Sequence, residues 1–118
     1  MLPRDRRLST EALKDMQTND EVRATHSSFF VARSLTSAGE SVPARFAVIV
    51  SQKVAKSAVE RHRIKRQIHS VLEELLPRLN ESRAVALHTK SAVREASREE
   101  IATDLEKGLK KAGVLKNT

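Results

Sequence analysis

The 118-residue sequence predicts a small α+β sandwich, a short sheet packed by helices in the order αββαβα. Three observations predict it. Two stretches rich in β-branched and aromatic residues come before residue 52. An apolar stripe of helical period runs from Ser57 to about Leu76. A serine-led capping box, Ser97-Arg-Glu-Glu100, opens a last amphipathic segment. With 39% apolar and 31% charged residues the chain holds material for one core. Residues 1–118 are therefore expected as a single domain, with 1–8 and 114–118 as loosely ordered tails.

The elements follow in order. Ser9 is a natural N-cap, Glu11 suits a first turn, and Leu13 and Met16 stand three apart, so residues 9–16 read as a short helix. His26 to Leu35, containing Phe29-Phe30-Val31, reads as a strand, and Ser37 to Pro43 as the loop that closes it. Arg45 to Ser51 reads as a second strand, too continuously apolar to be exposed along its length on either face. The two are expected to pair as an antiparallel hairpin. From Ser57 the period becomes helical: Ile64, Ile68, Val71, Leu72 and Leu75 form one stripe, and Pro77 falls near its end. Arg83 to Thr89 alternates as a third strand. The last helix carries Ile101, Leu105, Leu109 and Ala112, with lysines in its closing turns and Gly113 as its stop.

Composition removes several classes of function. Without cysteine there is no thiol chemistry, disulfide or Cys-based zinc site. No apolar run approaches the ~18 residues of a membrane span, and Met1 to Arg7 leads straight into polar residues, so a soluble, cytoplasmic protein without membrane association is expected. Walker loops, nucleophile elbows and HExxH motifs are missing, and His26, His62, His69 and His88 are dispersed. Glu73-Glu74 and Glu99-Glu100 read as helix-surface charges. Neither catalytic residues nor metal ligands are predicted.

The net charge of +7 is concentrated. Between Gln52 and His69, Lys53, Lys56, Arg61, Arg63, Lys65 and Arg66 face a single acid, Glu60; Arg4, Arg6 and Arg7 against Asp5 supply most of the remainder. A basic run this localised is the footprint of a polyanion binder. At about 100° per residue, His62, Lys65, Arg66 and His69 share one polar face beside the apolar stripe, with Arg61 at its edge and Arg63 turned away. Neutralising six phosphates would give log K a slope of about −4 to −5 against log salt. RNA is favoured over duplex DNA, because no helix-turn-helix, zinc-finger or basic-zipper spacing is present. Strand alternation lets at most one of Phe29 and Phe30 be buried on a given face, so the other could stack a base. A structural RNA binder of ribosomal type, a metal-dependent nuclease acting alone and a DNA-binding regulator stay open at this level.

One stretch goes further. Arg45-Phe-Ala-Val-Ile-Val50-Ser51-Gln52-Lys53-Val54-Ala-Lys-Ser-Ala58-Val59-Glu-Arg61-His62-Arg63-Ile64-Lys65-Arg66 resembles the protein subunit family of bacterial ribonuclease P, as do the length, the charge and the start Leu2-Pro-Arg4 to Leu8. His62 stands where that family has Asn, Gln52 where it has Lys, Ala47 and Ala55 where it has Gly, and His69 where it usually has Arg. Leu13 and Met16 take the place of its aromatic pair in the first helix.

The resemblance implies a ribonuclease P protein-like fold and RNA contacts at Lys53, Arg61, His62, Arg63, Lys65, Arg66 and His69. It implies a cleft for the 5′ leader of pre-tRNA at Phe30, Ser51, His62 and Lys65. It also implies a catalytic RNA subunit as partner, bound one to one by a protein that is monomeric when free. Mg2+ would be held mainly by that RNA and the substrate.

Overall fold

Each of the three helices begins at a serine whose hydroxyl accepts a backbone N–H one turn on. Ser9 accepts from Ala12 at 3.1 Å before α1 (Thr10–Gln17), and Ser57 from Glu60 at 3.4 Å before α2 (Ala58–Leu75). Ser97 accepts from Glu100 at 3.1 Å before α3 (Arg98–Lys111), and there the Glu100 carboxylate returns the bond by accepting the Ser97 N–H at 3.0 Å. Hydrogen bonding from the Ser97 backbone N–H, and then from its side chain, holds the Glu100 carboxyl below its ordinary pKa. α2 runs into a 3-10 turn, Leu76–Arg78, where Pro77 cannot continue the α-helical ladder. α3 ends before Gly113, whose φ of 77° is the left-handed backbone that glycine takes without strain.

The computed structural model describes residues 2–36 and 42–116. Of the loop expected at Ser37–Pro43, residues 37–41 lie outside the described residues. Four strands, β1 (Arg23–His26), β2 (Phe30–Thr36), β3 (Arg45–Ile49) and β4 (Arg83–Thr89), form one mixed sheet in the order β1-β2-β4-β3.

Two expectations are corrected here. The stretch from His26 to Leu35 is not one strand, since the chain reverses at Ser27–Phe29 and β1 pairs back on β2, His26 opposite Val31. The reversal is held from α3. The Asp104 carboxylate accepts the Ser27 hydroxyl at 2.7 Å and the Ser28 and Phe29 N–H groups at 3.0 Å each. β2 and β3 do not form a hairpin, because β4 lies between them, antiparallel to β2 and parallel to β3. Val85 and Leu87 on β4 are completely buried, so the strand that gains most from two neighbours takes the central place. The long α2 is the crossover that a parallel β3–β4 pair needs.

α2 and α3 pack on one face of this sheet. Phe30 and Ala32, Phe46 and Val48, and Val85 and Leu87 alternate toward them, meeting Ile64, Ile68, Leu72, Ile101, Leu105 and Leu109 in one core. The opposite face carries α1, whose Leu13 and Met16 border the same small hollow as Arg33, Ala86 and His88. Of the two tails expected as loosely ordered, the described residues 2–8 and 114–116 make packing contacts and backbone hydrogen bonds with the rest of the chain. Leu2 is buried, Arg7 bridges Phe46 on the free edge of β3, and the Leu8 N–H donates to the Phe46 carbonyl at 2.9 Å. Val114 and Leu115 are buried, and the Asn80 N–H donates to the Val114 carbonyl at 2.8 Å. Their apolar side chains close gaps that the regular elements leave open.

Candidate RNA interface

The segment from Ser51 to Arg66 leaves β3, turns, and starts α2. Val54 and Ala55 are buried, and both of their N–H groups donate to the Ser51 carbonyl, at 3.1 and 3.2 Å. The turn is thus pinned at its middle while Gln52, Lys53 and Lys56 stay exposed around an open hollow of about 510 Å³. Farther along, Ile64 and Ile68 are wholly buried, which fixes the rotation of α2 about its axis. His62, Arg63 and Arg66 are then exposed, and Lys65 is half-buried.

The charges on this helix divide by partner. Glu60 is held by Arg94 at 3.2 Å and Glu74 by Arg98 at 2.8 Å, both from the α3 side. Among the described residues, Lys53, Lys56, Arg63, Lys65 and Arg66 have no carboxylate partner in the chain. They are a set of donors whose charge no carboxylate among the described residues pairs. Such a set favours phosphates, and Arg adds a planar fork that matches two phosphate oxygens.

Three predicted positions differ from expectation. His69 is 8% exposed and lies inside the molecule rather than on the polar face. Its turn of α2 faces the chain's N-terminal segment, which widens the buried sector beyond the apolar stripe that the sequence displays. Burial, and then nearby positive charges including Lys65 and Arg7, keep its imidazole below the ordinary pKa of 6.5, and its Nδ1 has no hydrogen-bond partner among the described residues. Arg61 is half-buried and turned back on the loop, donating from Nη1 to the Ala55 carbonyl at 2.9 Å and the Lys56 carbonyl at 2.8 Å. Phe30, expected to line a cleft, is 1% exposed in the core beneath α3, and Phe29 in the turn is half-buried against the same core.

The face of the sheet that carries α1 belongs to the alternate residues. Register places His26, Val31, His88 and Ile49 in one row across the four strands, and Ala24, Arg33, Ala86 and Ala47 in the next. Exposed Ser51 follows Ile49 at the end of this row, so it is the predicted cleft residue that continues this face. Arg33 and His88 were not singled out from the sequence. Burial and then the charge of Arg33 lower the His88 pKa. The signal that could have found them is the period-two alternation from Phe30 to Leu35, once a face is assigned. Arg4 and Arg7 are likewise exposed on a segment packed along β3, which brings the second cluster of positive charge to that edge.

A four-stranded α+β sheet with α2 and α3 on one face and α1 on the other, flanked by a basic helix surface without carboxylate partners among the described residues, is the arrangement of a small polyanion-binding class of protein. The chain belongs to the Ribonuclease P family, whose model matches residues 2–113. The ribonuclease P protein component of Rippkaea orientalis is 36% identical over 73 residues, 62% of this chain and 58% of that one. That of a Pseudanabaena species is 34% identical over 71 residues, 60% of this chain and 61% of that one. The matches thus span less than two thirds of these relatives. In fold, the chain is similar to an RNase P protein mutant of Staphylococcus aureus with defective mRNA degradation activity. The TM-score is 0.81 at 22% identity, over 93% of this chain and 90% of that one. The Thermotoga maritima RNase P protein gives a TM-score of 0.75 at 14% identity, over 89% and 96% of the two chains.

Proposed function

We propose that this is the protein subunit of a cytoplasmic ribonuclease P, binding a catalytic RNA and the 5′ leader of pre-tRNA so that the leader is removed. The observation that carries the reading is the unpaired basic set Lys53, Arg63, Lys65 and Arg66, on a chain whose family match runs nearly end to end. In this reading these residues and His62 grip the phosphates of the RNA subunit, one protein to one RNA. The leader lies along the sheet face beside α1, over Val31, Arg33, His88, Ile49 and Ser51, with His62 and Lys65 at its margin.

The protein supplies position rather than reacting groups. Among the described residues, no group of three or more His, Asp or Glu side chains is placed to hold a metal ion. In this reading magnesium is held mainly by the RNA and the substrate, where it would activate water and stabilise the leaving oxygen. Cationic side chains near the leader would lower the repulsion between two polyanions, which matters most when magnesium is scarce.

Reconstitution with a bacterial ribonuclease P RNA at low magnesium tests this, scoring release of the leader from a pre-tRNA. Protein-dependent cleavage at the mature 5′ end is expected. Tight RNA binding with no stimulation would replace the reading with that of a structural, ribosomal-type RNA binder.

A further inference from the structure

The loop that carries Lys53 and Lys56 is exposed on its outer side, yet it is held in one shape from within. Val54 and Ala55 are buried at 3% and 1% exposure and hang from the Ser51 carbonyl by two N–H bonds. The far end of the loop has a different fastening. Arg61, one turn inside α2, reaches back so that a single nitrogen, Nη1, donates to both the Ala55 and the Lys56 carbonyls, at 2.9 and 2.8 Å. Its own N–H donates to the Ser57 carbonyl at 3.0 Å, so Arg61 ties the loop to the helix through both backbone and side chain.

The geometry points to Arg61 as a positioning residue: it fixes the lysine-bearing loop against α2, and acts on RNA through Lys53 and Lys56. This rests on the RNA-binding reading above. The physical reason is the cost of ordering a flexible chain. A lysine on a mobile loop must lose backbone as well as side-chain freedom on meeting a phosphate, about 1–2 kcal/mol per backbone residue ordered. A lysine on a clamped loop has already met the backbone part of that cost in the free protein. Arginine suits the role because Nη1 carries two N–H bonds, one for each carbonyl, at the end of a stem long enough to reach back over the loop. The carbonyls it takes follow one another in the chain, so they are locked in orientation relative to each other and to the helix.

The test is a double-mutant comparison with one readout that needs no RNA. Arg61→Met keeps the aliphatic stem and removes the donors. In the unbound protein, amide exchange at Val54 and Ala55 is expected to quicken about tenfold, while the global melting transition persists. Binding of a bacterial ribonuclease P RNA is expected to weaken about tenfold in Arg61→Met. That penalty should fall below about twofold once Lys53 and Lys56 are both replaced by alanine, since the clamp would have nothing left to position. Unchanged exchange at Val54 and Ala55, or an equal penalty in both backgrounds, overturns the inference; the second outcome would make Arg61 a direct phosphate ligand. If Arg61→Met fails to fold, Arg61→Gln carries the same comparison. Failure of the unmodified protein to bind the RNA would instead sink the proposed function, leaving amide exchange to judge the clamp.

Discussion

Arg63 and Arg66 stand a few residues from Glu60 and Glu74, yet those carboxylates are engaged by Arg94 and Arg98 from the other side of the helix. That partition separates arginines paired within the protein from those proposed to meet RNA. Arg63→Ala and Arg66→Ala are each expected to flatten the dependence of log K on log salt by roughly 0.7–0.9 for every phosphate no longer neutralised. Arg94→Ala should leave the slope unchanged, and a salt titration of RNA binding compares the three. His69 belongs to the same scale. Its folded pKa is depressed, so its contribution to stability is complete above the unfolded value of 6.5 and is lost as pH falls through the folded value. His88 is shifted in the same direction by burial and by Arg33. Urea denaturation at about pH 7.5 and about pH 5.5 should show the protein weaker in acid. His69→Leu should shrink that difference, with the remainder belonging to His88. An identical acid loss in His69→Leu would show that His69 is not the group responsible.

At the scale of elements, the turn between β1 and β2 is stabilised from a helix distant in the chain, through the Asp104 carboxylate. Lys90 adds a bond from the end of β4, its Nζ donating to the Ser27 carbonyl at 2.6 Å. A short polar strand such as β1 has little apolar surface with which to hold itself, so these bonds decide whether it pairs. Asp104→Ala leaves two backbone N–H groups and a hydroxyl without their acceptor, and should cost about 2–4 kcal/mol in urea denaturation. Amide exchange should concentrate the loss in residues 23–31. A uniform loss across the sheet would show instead that α3 itself had moved. Ser97→Ala opens the capping box of α3 and should cost about 1 kcal/mol.

Across the whole molecule, the N-terminal segment links features that are far apart in the chain. Leu2 fills the core, Arg7 and Leu8 cover the free edge of β3, and the charge of Arg7 reaches His69 on α2. An uncovered edge strand is a template for pairing with another chain, so this cover also bears on solubility. A chain beginning at Ser9 should be less stable, and its His69 should titrate closer to 6.5 because the covering residues are gone. Histidine chemical shifts followed against pH would show this. An unmoved His69 titration would place the source of its burial elsewhere.

The periodicities and local motifs were enough to find α1, α2 and α3, the Ser9 and Ser97 caps and the stripe of Ile64, Ile68 and Leu72, because those properties depend on residues within one or two turns of each other. The basic run from Arg61 to Arg66 was likewise legible, since charge without counter-charge is visible in the chain itself. Tertiary structure decided the rest. β4 entered between β2 and β3 because pairing is settled by which strand can bury most on both sides, a quantity no single segment contains. β1 was hidden because its order depends on Asp104. His69 moved inside, and Phe30 left the cleft, because helix rotation and strand face are fixed by what packs against them. Arg61 became a clamp only when the loop folded back within reach of its guanidinium. Local spacing specifies elements and their chemistry, whereas the direction in which a side chain acts is set by partners distant in the chain.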